Sequence, residues 1–186
     1  MALTAPHTSQ LLDLCVSGDR EAWRELHARY RPQALAFLYR LGVGTREAED
    51  ACQEIFLQVF RYLDRFERRA DFRTWLYKLC ISQAARVRRR GFFARPLRWW
   101  RRAIAEPAVL GEISWSRSLE LVDGALATLT TRQREVFVLF ELEEVPTAEI
   151  ARLLGCPDPS VRRQLQEARH KVEQFIRDQP MGGERP

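Results

Sequence analysis

Apolar residues recur every three to four positions along almost the whole chain. This spacing gathers them on one face of an α-helix, and no segment alternates apolar and polar residues between turn signals as a half-buried strand does. The pattern therefore predicts an all-α fold made of two small helical domains. We expect the N-terminal domain at 9–91, a flexible linker at 92–115 and the C-terminal domain at 116–178. Disordered ends are expected at 1–8 and 179–186.

Turn and capping residues divide the N-terminal domain into four helices. A short first helix ends at Gly18, and Asp19 is expected to cap the second helix. Pro32 is expected to kink or restart that helix, because proline lacks a backbone donor. Thr45 and Asp71 are the expected caps of the third and fourth helices.

The C-terminal domain has the pattern of a helix-turn-helix. Thr130 with Gln133 three residues later forms a capping box for its second helix, and Pro146 opens a short third helix. Asp158 as the cap and Pro159 at the first helical position then begin the final helix. The second helix of such a motif enters the major groove of DNA.

The final helix has an apolar side that is expected to dock on the domain and a polar side. The polar side carries Arg162, Arg163, Gln166, Arg169 and His170, with Glu167 at its edge. Arginine suits phosphates and guanine, glutamine suits adenine, and glutamate accepts from cytosine. The alternative is a small helical bundle with one exposed charged helix.

The third helix separates into a buried stripe and an acidic outer side. The buried stripe is predicted to hold Ala48, Cys52, Ile55, Val59 and Leu63. The outer side carries Asp50, Gln53, Glu54, Leu57 and Arg61. One apolar side chain among carboxylates suits a basic helical partner, although a single face of this kind is more often only solvated.

The fourth helix is the candidate for binding single-stranded nucleic acid. Its inward positions are predicted to be Phe72, Trp75, Leu76, Leu79 and Cys80, and its outward positions Arg73, Thr74, Tyr77, Lys78 and Ile81, with Ser82 at the border. An outward tyrosine between cations suits the stacking of unpaired bases. The arginine run that follows, including Arg86 and Arg89, suits phosphates.

Charge and cysteine usage agree with a nucleic-acid partner. The 186 residues carry a formal charge of +5, and no acid lies between Asp71 and Glu106. Such a basic block favours a polyanion, with a solvated face or linker as the alternative. The four cysteines are widely spaced without histidine at ligand distance, so we expect reduced thiols, no metal and no cofactor. We find no signal peptide and no membrane-spanning run, which predicts a cytoplasmic protein.

Three groups of residues in this order carry a family resemblance. They are Asp50, Gln53, Glu54 and Phe56; Phe72, Arg73, Thr74, Trp75 and Leu76; and Arg132, Gln133, Arg134, Glu135 and Val136 followed by Ser160, Val161 and Arg162. Together they resemble the extracytoplasmic-function (ECF) group of the bacterial sigma-70 family of RNA polymerase sigma factors. Any one group alone is a weak signal, whereas the ordered set is specific.

The resemblance implies an alternative sigma factor that has no catalytic site and directs promoter-specific initiation. The implied partners are core RNA polymerase, through its β′ clamp helices and β flap, promoter DNA and an inhibitory anti-sigma factor. A membrane-bound anti-sigma factor would hold the protein near the membrane. The implied core-binding residues are Asp50, Gln53, Glu54, Leu57 and Arg61. The implied minus-ten residues are Arg73, Tyr77, Lys78, Ser82, Arg86 and Arg89. The implied minus-thirty-five residues are Arg162, Arg163, Gln166, Glu167, Arg169 and Thr147.

The chain departs from the family pattern at several of these positions. Ser82 stands where the family usually has asparagine, Pro159 replaces a glycine, and Gln164 and Glu167 replace arginines. The linker pair Trp99 and Trp100 among arginines is also unusual. Three alternatives therefore stay open: a plain helix-turn-helix regulator, a nucleic-acid enzyme with an appended helix-turn-helix, and a sigma-like adaptor without promoter recognition.

Overall fold

The computed structural model describes residues 8–68, 70–90 and 121–179, and these parts of the chain contain helices and turns but no strand. The N-terminal domain comprises α1 (Thr8–Val16), α2 (Arg20–Arg40), α3 (Thr45–Tyr62), a 3-10 turn (Leu63–Arg65) and α4 (Phe72–Arg89). The C-terminal domain comprises α5 (121–127), α6 (Thr131–Phe137), a π-helical turn (Val138–Leu142), α7 (Thr147–Leu154) and α8 (Asp158–Asp178). The predicted all-α class is confirmed.

Side-chain caps begin three of the helices as the sequence indicates. The Asp19 carboxylate accepts from the backbone N–H groups of Glu21 and Ala22, at 2.8 and 3.0 Å. Asp71 accepts from the first turn of α4 at 3.1 Å. Thr130 and Gln133 form the reciprocal capping box at the start of α6. Each cap satisfies backbone donors that a helix leaves without an intrahelical partner.

Three local predictions are wrong. Pro32 does not restart α2, which continues from Arg20 to Arg40 because buried residues on both sides of the proline hold it against the core. Thr45 is the first residue of α3 rather than its cap, since the preceding glycine already has the extended conformation of a cap. Likewise Asp158 begins α8, and its carboxylate pairs with Arg162 at 2.7 Å instead of capping the helix.

The core of the N-terminal domain lies between α2, α3 and α4. The stripe predicted on α3 is buried, and Ile55 and Val59 are fully inaccessible. Phe72 of α4 packs edge-on against Tyr30 of α2, with 4.8 Å between ring centroids. The amphipathic spacing of α3 therefore fixes which of its faces is left for solvent.

The C-terminal domain packs against the N-terminal domain, and their buried apolar residues form one continuous cluster. At the turn after α2, Gly42 has a left-handed backbone with φ 83°. The guanidinium of Arg134 from α6 lies directly over this glycine, where any Cβ would collide with it. The predicted linker, with Trp99 and Trp100, and most of the predicted disordered ends fall outside the described residues.

Candidate functional site

The outer face of α3 is exposed at every position that the sequence assigned to partner binding. Asp50, Gln53, Glu54 and Arg61 are exposed, and Leu57 keeps 56% of its surface accessible. The apolar stripe on the opposite side of α3 is buried in the core, and this burial turns the polar side of the helix toward solvent. The result is a rigid helical surface that presents carboxylates around an accessible apolar side chain, which suits a basic partner.

Sequence reasoning missed the aromatic extension of this face. Phe60 lies three residues after Leu57 and is 65% exposed, although it packs on Trp23 of α2 at 4.9 Å between ring centroids. An accessible phenylalanine beside an accessible leucine is unusual on a surface that contacts only water. The helical spacing of Leu57 and Phe60 could have revealed their shared face.

The acidic face of α3 borders the basic end of α4. Asp50 and Glu54 line one wall of a shallow groove, and Arg86 and Arg90 line the other. The buried side chain of Gln83 forms part of its floor. The proposed protein-binding face and the proposed phosphate-binding face are therefore neighbours, with opposite charge.

On α4 the structure keeps most of the predicted nucleic-acid face accessible. Arg73, Lys78, Ser82, Arg86 and Arg89 are exposed. A row of cations along one helix is the arrangement expected for phosphates. The accessible hydroxyl of Ser82 lies within this row.

The prediction that Tyr77 faces outward is wrong, because its side chain is only 1% exposed. Its ring stacks on Phe37 of α2 at 4.3 Å between centroids and 25° between planes. Its hydroxyl donates to the carboxylate of Glu143 in the C-terminal domain. Burial, and then this hydrogen bond, raise the pKa of the Tyr77 hydroxyl well above its ordinary value. Thr74, also predicted outward, is 8% exposed, and Ile81 is half-buried.

Glu143 is the centre of the contact between the domains. One carboxylate oxygen accepts from the guanidinium of Arg40 at the end of α2, and the other accepts from Tyr77. The backbone carbonyl of Glu143 accepts from Arg73 at 3.4 Å. The Glu143 side chain is 9% exposed. Nothing in the local pattern signalled this residue, because its partners lie 66 to 103 positions away in sequence.

A second contact between the domains pairs Arg88 of α4 with Glu135 of α6 at 3.0 Å. Glu135 also pairs with Arg132 at 3.3 Å, and its side chain is 7% exposed. Burial raises the pKa of the Glu135 carboxyl, although the two arginines act in the opposite direction. Both contacts between the domains therefore set a C-terminal glutamate against an N-terminal arginine.

The polar face of α8 is exposed as predicted. Arg162 and Arg163 keep 73% and 74% of their side chains accessible. Val161, Leu165 and Ala168 are buried on the opposite side. Gln166 lies in the same exposed face, so α8 presents the donors that reading a major groove requires.

Glu167 and Arg169 of this face contact side chains that lie outside α8. Glu167 accepts from the amide of Gln133 at 3.0 Å and lies 3.5 Å from Arg163. Arg169 donates to Glu141 at 2.6 Å, and its guanidinium lies 5.3 Å from the ring of Phe140. These contacts orient the edges of the face. Thr147, at the first position of α7, is half-buried.

The thiols and the acids do not form a site among the residues described. Cys15, Cys52 and Cys80 are buried, and burial raises the pKa of Cys15 and Cys52 to about 11. Within the same parts of the chain, no group of histidine, cysteine and acidic residues has a metal-binding arrangement. None of the described helices is long and apolar enough to cross a membrane.

Comparison with known families identifies the family of the chain. The sequence model of Sigma-70 region 2 matches residues 26–91, which include α3 and α4, and that of Sigma-70, region 4 matches residues 119–172, which include α6 and α7. The chain belongs to the sigma-70 family. The resemblance drawn from its motifs is thereby confirmed, and sigma-70 factors are initiation factors rather than enzymes.

Several sigma factors of other bacteria are similar to this chain over most of its length. The RNA polymerase sigma-H factor of Pseudomonas aeruginosa is 28% identical over 94% of this chain and 96% of its own length. The ECF RNA polymerase sigma factor SigW of Bacillus subtilis is 26% identical, covering 87% of this chain and 92% of its own. The ECF sigma-E factor of Escherichia coli is also 26% identical, over 89% and 92%.

Solved structures share the fold of this sigma-family chain. CnrH, determined in complex with the cytosolic domain of CnrY, has a TM-score of 0.68 and 24% identity, over 92% of this chain and 97% of that one. The sigma factor RpoE of Bartonella quintana, determined with the anti-sigma factor NepR, has a TM-score of 0.65 and 19% identity, over 84% and 98%.

Proposed function

We propose that this protein is an ECF sigma factor that binds core RNA polymerase and directs promoter-specific transcription initiation. The observation that carries the proposal is the presence of region 2 and region 4 in one chain, each with an exposed polar helix face. A plain helix-turn-helix regulator would need only the second of these regions. Of the three alternatives to a promoter-reading sigma factor, the sigma-like adaptor is the one that stays open.

Core polymerase binds to the outer face of α3, by this proposal. Asp50, Gln53 and Glu54 supply charge and hydrogen bonding for the β′ clamp helices, and Leu57 with Arg61 completes the face. The exposure of all five residues supports this assignment. Apolar area supplies most of the binding free energy, whereas the carboxylates steer the encounter and fix its register. The C-terminal domain contacts the β flap.

Promoter DNA binds to α4 and α8. Separated minus-ten bases and their phosphates contact Arg73, Lys78, Ser82, Arg86 and Arg89 of α4, and they reach Tyr77 only when its hydroxyl is released from Glu143. The minus-thirty-five duplex contacts Arg162, Arg163, Gln166, Glu167 and Arg169 of α8, with Thr147 of α7 at the phosphate backbone. Accessible cations in both sets support this assignment. Binding to single strands holds the duplex open, while base edges in the major groove give specificity.

An anti-sigma factor holds the protein inactive, by the same proposal. CnrH and the Bartonella RpoE, which share the fold, were determined in complex with CnrY and with the anti-sigma factor NepR. The exposed apolar residues of α3 give such a partner a surface to cover. We place this regulation in the cytoplasm, near the membrane where the anti-sigma factor is membrane-bound.

Transcription from fragmented genomic DNA of the source organism tests the proposal. Purified core polymerase is incubated with and without the protein, and transcript starts are mapped by sequencing. New starts that share two upstream elements are expected. Core binding without new starts would favour the adaptor, and loss of both would refute the sigma assignment.

The polymerase-binding face is tested separately by Glu54→Lys. Reversing one exposed charge should weaken binding to core polymerase while the melting temperature stays unchanged, because Glu54 is not part of the core. Glu21→Lys makes the same charge change on exposed α2 and serves as the control. Unchanged core affinity in a Glu54→Lys titration would remove this face from the assignment.

A further inference from the structure

Three donors of the N-terminal domain converge on one residue of the C-terminal domain, Glu143. Arg40 and Tyr77 each donate to one oxygen of the Glu143 side chain, and Arg73 donates to its backbone carbonyl at 3.4 Å. Glu143 is 9% exposed and Arg40 is 27% exposed, so both charges are largely withdrawn from water. In the closed structure these side chains of the N-terminal domain therefore form a pocket that holds an oxyanion.

The chemistry of this pocket also suits a phosphate. Guanidinium and hydroxyl donors bind the oxygens of carboxylates and phosphates with the same geometry. Arg73 belongs to the α4 surface that we assign to single-stranded DNA. The ring of Tyr77 packs on Phe37 of its own domain, and its hydroxyl is covered by Glu143 of the C-terminal domain. In the closed structure Glu143 thus occupies part of the surface that a DNA strand would use.

We propose that Arg40, Arg73 and Tyr77 form an anion pocket that Glu143 fills in the closed protein and that a phosphate of single-stranded DNA fills when the C-terminal domain moves away. Glu143 is then an internal competitor of DNA, and the closed arrangement is autoinhibited. The identity of the competing strand as promoter DNA rests on the proposed function. The pocket and its occupation by Glu143 rest on the contacts alone.

The second contact between the domains follows the same logic. Arg88 belongs to the arginine run of α4, and Glu135 neutralises it from the C-terminal domain. The two glutamates are 9% and 7% exposed, and each meets a cation of the other domain. Because a buried ion pair gains little net free energy after desolvation, these two pairs by themselves do not lock the domains together.

The backbone around Glu143 has an uncommon conformation that places its side chain. A π-helical turn at Val138–Leu142 ends directly before Glu143, and Glu144 has a left-handed backbone with φ 56°. Both conformations are infrequent for such residues and occur often at functional positions. An ordinary helix end would not require them. These two conformations are an observation independent of the hydrogen bonds. They indicate that the turn directs the Glu143 side chain into the pocket.

The length of the connecting chain permits the domains to separate. Thirty residues, positions 91–120, join them in sequence. Opening would rehydrate Arg40 and expose the Tyr77 hydroxyl. Closure and DNA capture therefore compete for the same side chains.

The test compares Glu143→Gln with Glu144→Gln in the full-length protein. Both variants remove one negative charge from the same turn, but only the first removes the carboxylate from the pocket. The probe is a fluorescein-labelled oligothymidylate of about 12 nucleotides, a length within the usual range for single-strand sites. Fluorescence anisotropy gives its affinity, and small-angle X-ray scattering gives the radius of gyration.

Glu143→Gln is expected to open the protein and strengthen oligothymidylate binding about tenfold, since the closed fraction no longer competes. The radius of gyration should rise by several ångströms above the value of about 16 Å for a compact chain of this length. Glu144→Gln should change neither measurement by more than about twofold. Adding Arg40→Gln to Glu143→Gln should abolish the gain in affinity, because the pocket has lost its main cation.

Two results would overturn the proposal. Equal effects of Glu143→Gln and Glu144→Gln would show a general charge effect, and a gain that survives Arg40→Gln would show that the pocket does not bind the strand. Glu135→Gln provides a second route to opening if Glu143→Gln fails to fold, as judged by thermal melting. It leaves every N-terminal cation in place and should also strengthen binding.

The test does not depend on initiation, because neither promoter nor polymerase is present. Failure of the proposed sigma function would show in the transcription assay while this binding result still stood. Failure of the pocket would leave the transcription assay unaffected.

Discussion

Replacing Leu57 by alanine measures how much of the polymerase interface depends on apolar contact. Leu57 is 56% exposed in the free protein, so about half of its side chain is available to a partner. Complete burial of a leucine side chain contributes about 1.5–3 kcal/mol. The accessible part therefore corresponds to about 1–1.5 kcal/mol, and Leu57→Ala should weaken binding to core polymerase about 5- to 12-fold.

The assay is a titration of core polymerase against protein labelled at its N-terminus, at two salt concentrations. Leu14→Ala on α1 is the matched control, since Leu14 is 40% exposed and lies outside the proposed face. Neither substitution should change the free energy of unfolding by more than about 0.5 kcal/mol. A loss below twofold for Leu57→Ala, or an equal loss for Leu14→Ala, would refute the argument that α3 buries this side chain against polymerase.

Three further outcomes are expected. At pH 8 Ellman's reagent should modify one thiol quickly, that of half-buried Cys156. A pKa of about 11 leaves roughly 0.1% thiolate at Cys15 and Cys52, and burial also shields Cys80. Rapid modification of all four thiols would contradict the burial of these three cysteines. Arg163→Ala should weaken binding to a promoter duplex and lower the salt slope by about 0.9, measured by anisotropy, whereas Arg177→Ala at the far end of α8 should not. Ile55→Ala should lower the free energy of unfolding by about 2–5 kcal/mol in urea titrations, since Ile55 is fully buried, and a change below 1 kcal/mol would contradict its position.

The sequence predicted most reliably the faces that depend on one domain alone. The buried stripe of α3 and the opposed faces of α8 are found where the spacing of apolar residues put them. Helical spacing reports burial against the helix's own domain, because that burial selects the apolar residues. Helix caps were predicted less well, since an extended backbone before Thr45 or Asp158 fulfils the same role without a side chain.

Tyr77 is a residue for which helical spacing gives the wrong prediction. Its position on the helical wheel of α4 is outward, yet its ring packs on Phe37 of α2 and its hydroxyl is covered by Glu143 of the C-terminal domain. No local pattern encodes a contact between residues 66 positions apart. Glu143 itself looks like one more surface acid in the turn of a helix-turn-helix. Helical periodicity therefore does not predict contacts between domains, although these contacts determine which residues of a binding face are accessible.

Closure and DNA binding should respond differently to salt under the proposed pocket. Phosphate binding by Arg73, Arg86 and Arg89 releases counterions and weakens steeply as salt rises. The Arg40–Glu143 pair is largely buried, so mobile ions screen it much less. Rising ionic strength should therefore favour the closed protein over the DNA-bound protein, even though both states use the pocket of Arg40, Arg73 and Tyr77. A single well-placed carboxylate is enough to compete with a strand of phosphates, because it is held at the pocket by the rest of its own chain.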